Sequence, residues 1–191
     1  MKLKNLIVVA LLLAIGTVLH AVFPGLIFGM KSDLSLVMLF LALFLFADRK
    51  TFLVIGLVDG ILAGLTTSLP GGFFPNVIDK LITSTIVFFV FYLLASLLRS
   101  NTGSGQSKVK YMFCTVLAGI GTVLSGTVFL LAAIFIAGLP ASAFGAMFVG
   151  MVLPTALVNL VLFAILYPIV VKIGERSGFL HPAAHPTTSL R

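Results

Sequence analysis

Long apolar runs separated by short polar segments form the basic pattern of this chain. A hydrocarbon layer roughly 30 Å thick needs about 20 apolar residues in a helix that rises about 1.5 Å per residue. Six stretches match the pattern of membrane-crossing helices, although the second is short. They are residues 6–23, 34–47, 51–69, 77–98, 111–139 and 144–172. We therefore predict a single all-α membrane domain over residues 1–176 and a polar, disordered tail over 177–191.

The composition supports this class. Hydrophobic residues make up 60% of the chain and charged residues 9%, so nearly every surface must be compatible with lipid. The net charge of +7 comes from basic residues that stand singly or in pairs between apolar runs. They form no continuous basic face of the kind that binds nucleic acid. The sequence predicts an integral membrane protein with no nucleic-acid partner.

The positions of the basic residues predict how the chain crosses the membrane. If the six helices alternate in direction and both termini are cytoplasmic, every Lys and Arg except Lys31 and Lys80 falls on the cytoplasmic side. This agrees with the positive-inside rule. A cleaved signal peptide is the alternative for the first helix, but no small-residue cleavage site follows its apolar core. We predict a multi-pass protein of the cell membrane with both termini in the cytoplasm.

The two exceptional lysines each have an acid close by in sequence. Lys31 and Asp33 occur in "GMKSD", and Asp79 directly precedes Lys80. Ionisable groups near a membrane either line a polar cavity or lie at the lipid headgroups. For the first pair these two interpretations are equally open, and for the second pair we favour a cavity.

The segment "LPGGFFPNVIDK" contains the clearest candidate for a binding site. Gly71 and Gly72 allow unusual backbone conformations, and the flanking prolines interrupt helix, so we expect a re-entrant loop before a helix that starts at Val77. Asn76 would then lie at the helix N-terminus, where a carboxylate is favoured. Asp79, one turn further, would accept a hydrogen bond from an ammonium group. Together these features predict a zwitterionic ligand, whereas the alternative is that Asp79 caps its own helix.

Two further polar residues are candidates. Asp59 lies in the middle of the third apolar run, where it is either functional or a structural acid bonded to another helix or packed against Gly60. His20, at the outer end of the first helix, either donates to a ligand or is an interfacial ring. The complete set of candidate substrate-binding residues is His20, Lys31, Asp33, Gly71, Gly72, Asn76, Asp79 and Lys80.

Motifs for catalysis are absent from the sequence. The chain has no Walker motif, no histidine pair at metal-ligand spacing and no nucleophile with a credible base. We therefore predict no enzymatic activity, no cofactor and no metal. The halves 1–98 and 99–191 show no repeat of the kind that is common in secondary transporters, so energy from a partner is expected.

Two segments resemble a known family. Ala10 and Ala14 in "ALLLA", together with six helices and two cytoplasmic termini, resemble the substrate-binding S components of energy-coupling-factor transporters, whose first helix carries an Ala-x-x-x-Ala motif. The combination of "AIGTVLHAVFPGLIFGMKSDL" and "TTSLPGGFFPNVIDK" resembles the bacterial tryptophan-transporter family, which is related to those S components.

The resemblance implies a function and a set of partners. Tryptophan would be captured outside and released inside when ATPase subunits act through a transmembrane coupling subunit, and Ala10 and Ala14 would contact that coupling module. Two other classes remain open. One is a stand-alone proton-coupled amino-acid carrier that uses Asp59, and the other is a non-transporting membrane scaffold, which would need none of the outer polar residues.

Overall fold

The protein is described by a computed structural model that covers residues 3–22, 25–27, 30–99 and 106–180. Each predicted membrane-crossing stretch coincides with helix. The helices are α1 (Leu3–Val22), α2 (Ser35–Leu45), α3 (Phe52–Leu65), α4 (Phe73–Arg99), α5 (Gln106–Ile136), α6 (Phe144–Met147) and α7 (Leu153–Arg176). The short helix α6 and the long helix α7 together correspond to the sixth predicted stretch.

Helix length separates these elements into two groups. Four helical segments are long and apolar enough to cross a membrane, namely Leu3–Val22, Phe73–Leu94, Lys108–Ile136 and Ala141–Arg176. The apolar helices α2 and α3 contain only 11 and 14 residues. The structure therefore shows a helical membrane protein with four long helices. The crossing of the membrane by α2 and α3 and the cytoplasmic position of both termini stay predictions.

Helix α2 lies at the centre of the bundle. It contacts α1, α3, α4, α5 and α7, and all its residues from Ser35 to Phe44 are buried. At its C-terminal end the Phe44 ring packs against Phe91 and Phe163, with centroid distances of 4.7 and 5.7 Å. We call this part of the molecule the aromatic end. The opposite part, where Asp33 precedes α2, is the cavity end.

Three glycines bring α3 directly against α4. Gly56, Gly60 and Gly64 are spaced four residues apart and therefore share one face of α3. A Cβ atom added at Gly60 would lie 2.9 Å from the Cα atom of Val77, and one added at Gly64 would lie 2.8 Å from the Phe73 ring. Small residues allow helix backbones to approach this closely. This contact fixes the first turns of α4, which carry several candidate site residues.

Helix α4 begins earlier than the sequence predicted. It starts at Phe73 rather than Val77, after a turn in which Gly71 has a φ of +73°. Pro75 lies in the first turn of the helix, where a missing backbone N–H costs no intrahelical hydrogen bond. The expectation that the prolines delay this helix was therefore wrong. Asn76 lies in the first turn, as predicted.

The last helical segment is irregular where the sequence contains Pro154. A π-helical turn, Phe148–Val152, joins α6 to α7, and Pro154 lies in the first turn of α7. Proline cannot donate the backbone hydrogen bond that a continuous α-helix requires there. Helix α5 packs tightly on this turn, because a Cβ atom at Gly126 would lie 2.5 Å from Val152 Cγ1. The irregular turn is thus held against α5.

Two short elements accompany the helices of this domain. A short antiparallel hairpin, β1 (Gly25–Ile27) and β2 (Met30–Lys31), connects α1 to α2. After α7, the backbone amide of Leu180 donates to the carbonyl oxygen of Gly174 at 2.9 Å, so residues 177–180 form an ordered turn. The rest of the predicted tail, residues 181–191, lies outside the described residues.

Candidate functional site

A buried lysine holds two carboxylates together at the cavity end. Lys80 Nζ donates to Asp33 Oδ2 and, at 2.8 Å, to Asp79 Oδ2. The Lys80 side chain is fully buried, and it comes from the second turn of α4, whereas Asp33 lies between β2 and α2. Buried charges are stable only when they are paired in this way. Lys80, Asp33 and Asp79 thus form a trio in which two carboxyl groups share one ammonium.

Asp79 uses both carboxylate oxygens. Thr83 Oγ1 donates to Asp79 Oδ1 at 2.9 Å, and Ser125 Oγ donates to Asp79 Oδ2 at 2.7 Å. These partners lie in the body of α4 and on α5, so Asp79 connects two helices through its side chain. The alternative interpretation of Asp79 as a cap of its own helix is therefore wrong.

Asp33 connects four helices. Its Oδ1 atom accepts from the backbone amide of Ser35 at 3.1 Å and from the Ser35 hydroxyl at 2.6 Å, and its carbonyl oxygen accepts from Asn159 Nδ2 at 2.8 Å. The Nδ1 atom of His20 lies 3.4 Å from Asp33 Oδ1. Burial alone would raise the pKa of Asp33, but the Lys80 ammonium and His20 hold that pKa well below its ordinary value. Asp33 is therefore ionised at neutral pH.

Lys31 does not form the expected pair with Asp33. Its Nζ atom donates instead to the carbonyl oxygens of Ala21, at 3.1 Å, and Thr66, at 3.4 Å. Within the part of the chain that the structure describes, the ion pairs at this end involve Lys80 and His20 rather than Lys31. Lys31 thus supplies a positive charge that is not neutralised by a carboxylate of these residues.

These groups surround a cavity with about 60 Å³ of enclosed space, inside a wider recess of about 580 Å³ that is partly open to solvent. Its polar wall includes His20, Lys31, Asp33, Asn76, Asp79 and Ser125. Its apolar wall includes Leu36, Leu69, Gly126, Phe129, Met151 and Val152. The cavity therefore combines charges of both signs with a surface that suits a large apolar group.

Other predicted residues have supporting positions. Lys80 lies behind the two carboxylates, and the carbonyl oxygen of Gly72 accepts from Asn76 Nδ2 at 2.7 Å. Gly71 and Gly72 form the turn that leads into α4, and a Cβ atom at Gly72 would lie 2.9 Å from Thr67 Oγ1. The structure therefore gives the two glycines a role in shaping the loop beside the cavity.

Three predicted residues lie away from the cavity lining. Asp59 is buried in α3, and its Oδ2 atom has no hydrogen-bond partner among the described residues. Ala10 and Ala14 are both exposed on α1, on the side that faces away from the bundle core. The small-residue strip is therefore free of internal packing.

Sequence reasoning missed the contribution of α5 and α7 to this site. Thr122 on α5 and Thr155 on α7 line the cavity, and Asn159 Nδ2 lies 3.3 Å from Thr122 Oγ1. Thr155 also donates to the Ser32 hydroxyl at 3.0 Å. The available signal was the spacing of Thr155 and Asn159, which are four residues apart and therefore share one face of α7.

Long apolar helices around a charged cavity define a membrane transport protein, with several passes through the bacterial plasma membrane, and not an enzyme. The chain belongs to the tryptophan transporter TrpP family, which matches residues 2–174. The resemblance noted in the sequence is thereby confirmed.

Curated relatives cover nearly the whole chain. A probable tryptophan transport protein of Bacillus subtilis is 43% identical over 183 residues, which cover 96% of this chain and 99% of the relative. Proteins with the same description are 41% identical in Clostridium acetobutylicum, over 90% of this chain and 94% of the relative, and 37% identical in Clostridium perfringens, over 93% and 96%. No solved structure matches this chain significantly.

Proposed function

We propose that this protein carries tryptophan across the plasma membrane and binds it as a zwitterion in the cavity. The observation that carries the proposal is the combination, in one cavity, of two carboxyl groups that share the Lys80 ammonium, the separate Lys31 ammonium and an apolar wall. The family and the names of the relatives support tryptophan as the ligand. The third class considered, a non-transporting scaffold, does not fit a family of transporters.

The ligand amino group is expected to contact Asp33 first. The Asp33 side chain is 18% exposed, whereas that of Asp79 is 1% exposed, although both line the cavity. Asp79 was the residue favoured by the sequence, and the structure makes Asp33 the more accessible carboxylate. A ligand ammonium would give these two acids a second cationic partner beside Lys80.

The other parts of tryptophan also find suitable partners. Lys31 offers an ammonium for the ligand carboxylate, and the nearby N-terminus of α4 at Asn76 adds a favourable helix dipole. Phe129, Met151 and Val152 provide apolar surface for the indole ring. Lining of this kind is typical of sites that bury most of a small ligand.

A double comparison of ligands and variants tests the zwitterion hypothesis. Asp33→Asn and Asp79→Asn should each weaken tryptophan binding by roughly 2–5 kcal/mol, because each removes part of a desolvated charge pair. Indole-3-propionate, which lacks the amino group, should bind the wild type poorly and respond little to either substitution. Calorimetry on the purified protein measures all these affinities.

Asp48→Asn is the matched control, since Asp48 is an exposed acid in the turn at the aromatic end and should leave both affinities unchanged. Thermal unfolding without ligand checks that each variant is folded. If tryptophan and indole-3-propionate lose affinity equally, the acids shape the cavity instead of binding the amine.

For the energy source, we infer an S-component role with a transmembrane coupling subunit and ATPase subunits. The exposed pair of Ala10 and Ala14 on α1 supports this inference, because small residues four apart let another helix approach closely. Ala10→Leu and Ala14→Leu should abolish uptake and co-purification of the coupling subunit while tryptophan affinity stays intact. Ala146→Leu adds the same bulk at another exposed helical alanine and should do neither. A loss of affinity in the α1 variants would assign the strip to the fold.

A stand-alone proton-coupled carrier is the second candidate function. The environment of Asp59 is the observation that favours it. This buried acid has an oxygen without a hydrogen-bond partner among the described residues, and such acids in membrane helices often bind protons. Uptake that persists after deletion of the coupling ATPases, but is lost in Asp59→Asn, would favour this mechanism over the S-component role.

A further inference from the structure

His20 presents an unfilled hydrogen-bonding position to the cavity. Its ring is buried at the C-terminal end of α1 and lines the cavity wall. Neither ring nitrogen has a hydrogen-bond partner among the residues that the structure describes. Buried polar side-chain atoms are bonded in the large majority of cases, and an exception of this kind requires an explanation. A bound ligand that completes the site provides one.

The position of Asp33 indicates which nitrogen of His20 carries the proton. The Nδ1 atom lies 3.4 Å from Asp33 Oδ1, slightly beyond a normal hydrogen bond but close enough for an Nδ1–H group to face the carboxylate. A neighbouring carboxylate favours the tautomer with the proton on Nδ1. In a neutral imidazole the other nitrogen is then an acceptor only. With the ring neutral, Nε2 of His20 is an acceptor that has no donor among the described residues.

Several other polar groups on the cavity wall have partners. The carboxylates of Asp33 and Asp79 accept from Lys80, and their charge suits an ammonium group. Thr155 Oγ1 donates to Ser32, and Thr122 Oγ1 donates to the carbonyl oxygen of Ala118 at 2.9 Å. His20 differs from these groups because the described residues leave both of its buried ring nitrogens without a partner.

We propose that Nε2 of His20 accepts a hydrogen bond from the indole N–H of tryptophan, and that His20 thereby determines the preference for an indole ring. The inference rests on the proposed function and names the residue that recognises the side chain. Tryptophan carries a single N–H donor on a large apolar ring, and the apolar wall formed by Phe129, Met151 and Val152 shares the cavity with His20. A ligand of equal shape without this donor would leave Nε2 buried and unpaired.

The test compares tryptophan with 3-benzothienyl-L-alanine, in which a sulfur atom replaces the indole N–H in a ring of similar size. Calorimetry on the full chain in detergent should show that the wild type binds tryptophan about 10- to 100-fold more tightly than the analogue. In His20→Phe this ratio should fall to about one, because the acceptor is lost for both ligands. In His20→Gln the ratio should lie between these values, since the glutamine carbonyl can accept from a slightly different position.

Asn159→Leu is the matched control variant. The Oδ1 atom of Asn159 is another buried acceptor without a partner among the described residues, but Asn159 is not part of the cavity lining. In this variant the ratio of the affinity for tryptophan to the affinity for 3-benzothienyl-L-alanine should equal that of the wild type, even if both affinities fall. Thermal unfolding without ligand shows whether each variant is folded, and the glutamine variant provides a test if His20→Phe is unstable.

Four results would overturn the proposal. An equal loss of affinity for both ligands in His20→Phe would mean that His20 serves the ligand carboxylate or the cavity shape. A ratio that collapses in Asn159→Leu would identify Asn159 as the acceptor. A wild type that binds both amino acids equally tightly would refute recognition of the N–H while leaving tryptophan binding intact. A wild type that binds neither would refute the proposed function and this inference together.

Discussion

The cavity end and the aromatic end are built on the same helices from different interactions. Helix α4 carries Asp79 and Lys80 near its start and packs Phe91 on Phe44 further along. At the cavity end, single polar atoms have specific partners, such as the Ser125 hydroxyl on Asp79. At the aromatic end, each ring contacts several others through many weak contacts. The first kind of structure gives specificity, and the second tolerates change.

The difference predicts unequal responses to mutation at the two ends. Removing one member of a buried ion pair leaves an uncompensated charge, whereas removing part of an apolar contact leaves only weaker packing. Ligand binding should likewise depend on the cavity end alone. Three substitutions, taken from the largest expected effect to the smallest, test this division.

Lys80→Met should have the largest effect, since it leaves the carboxylates of Asp33 and Asp79 buried without their shared cation. We expect a loss of roughly 3–5 kcal/mol in the free energy of unfolding, measured by denaturation in detergent. Lys31→Met is the matched control, because Lys31 contacts carbonyl oxygens and should cost about 1 kcal/mol. Similar losses of stability in the two variants would show that the trio of Lys80, Asp33 and Asp79 does not dominate the stability of the cavity end.

Gly60→Ala should have an intermediate effect. The added Cβ atom would lie 2.9 Å from the Cα atom of Val77, so α4 must move away from α3. Overpacking of this kind costs about 1–3 kcal/mol of stability, and it should also weaken tryptophan binding because α4 carries Asp79. At Gly145 an added Cβ atom meets nothing within 4 Å, so Gly145→Ala should change neither quantity. Unchanged binding in Gly60→Ala would separate helix packing from the geometry of the cavity.

Phe52→Leu should have the smallest effect. The Phe52 ring stacks on Phe88 at the aromatic end, with a centroid distance of 4.5 Å and an interplanar angle of 4°. Loss of this pair should lower the free energy of unfolding by about 0.5–1.5 kcal/mol while the tryptophan affinity measured by calorimetry stays constant. A parallel fall in affinity would mean that the two ends are coupled.

Helix positions were predictable from the sequence because apolar length alone sets them, and every predicted stretch overlaps a helix. The start of α4 was not predictable in this way. A proline such as Pro75 interrupts the interior of a helix, but it is compatible with the first turn, where it lies here. The pairing of Lys80 with Asp33 spans 47 residues, whereas sequence reasoning paired Lys31 with its neighbour Asp33. Only the packing of the helices brings such distant groups together.

The roles of the hydroxyl-bearing residues in the long helices were also difficult to predict. Hydroxyl groups in membrane helices commonly bond to their own backbone, as Thr122 does with Ala118, so their presence alone does not indicate a site. His20, Asn76 and Asp79 were recognised because ionisable and amide groups are rare in such apolar surroundings.

The short central helix α2 also has an electrical consequence. Its 11 residues span only about 16 Å, and it extends from the charged network at Asp33 towards the exposed turn at Asp48. If α2 crosses the membrane as predicted, a potential that falls along its length acts over about half of a hydrocarbon core roughly 30 Å thick, so the field there is about twice as steep. A cation passing this helix would therefore experience most of the potential within about three turns, worth about 2.3 kcal/mol per 100 mV. A zwitterionic amino acid carries no net charge, so its passage would be nearly insensitive to voltage.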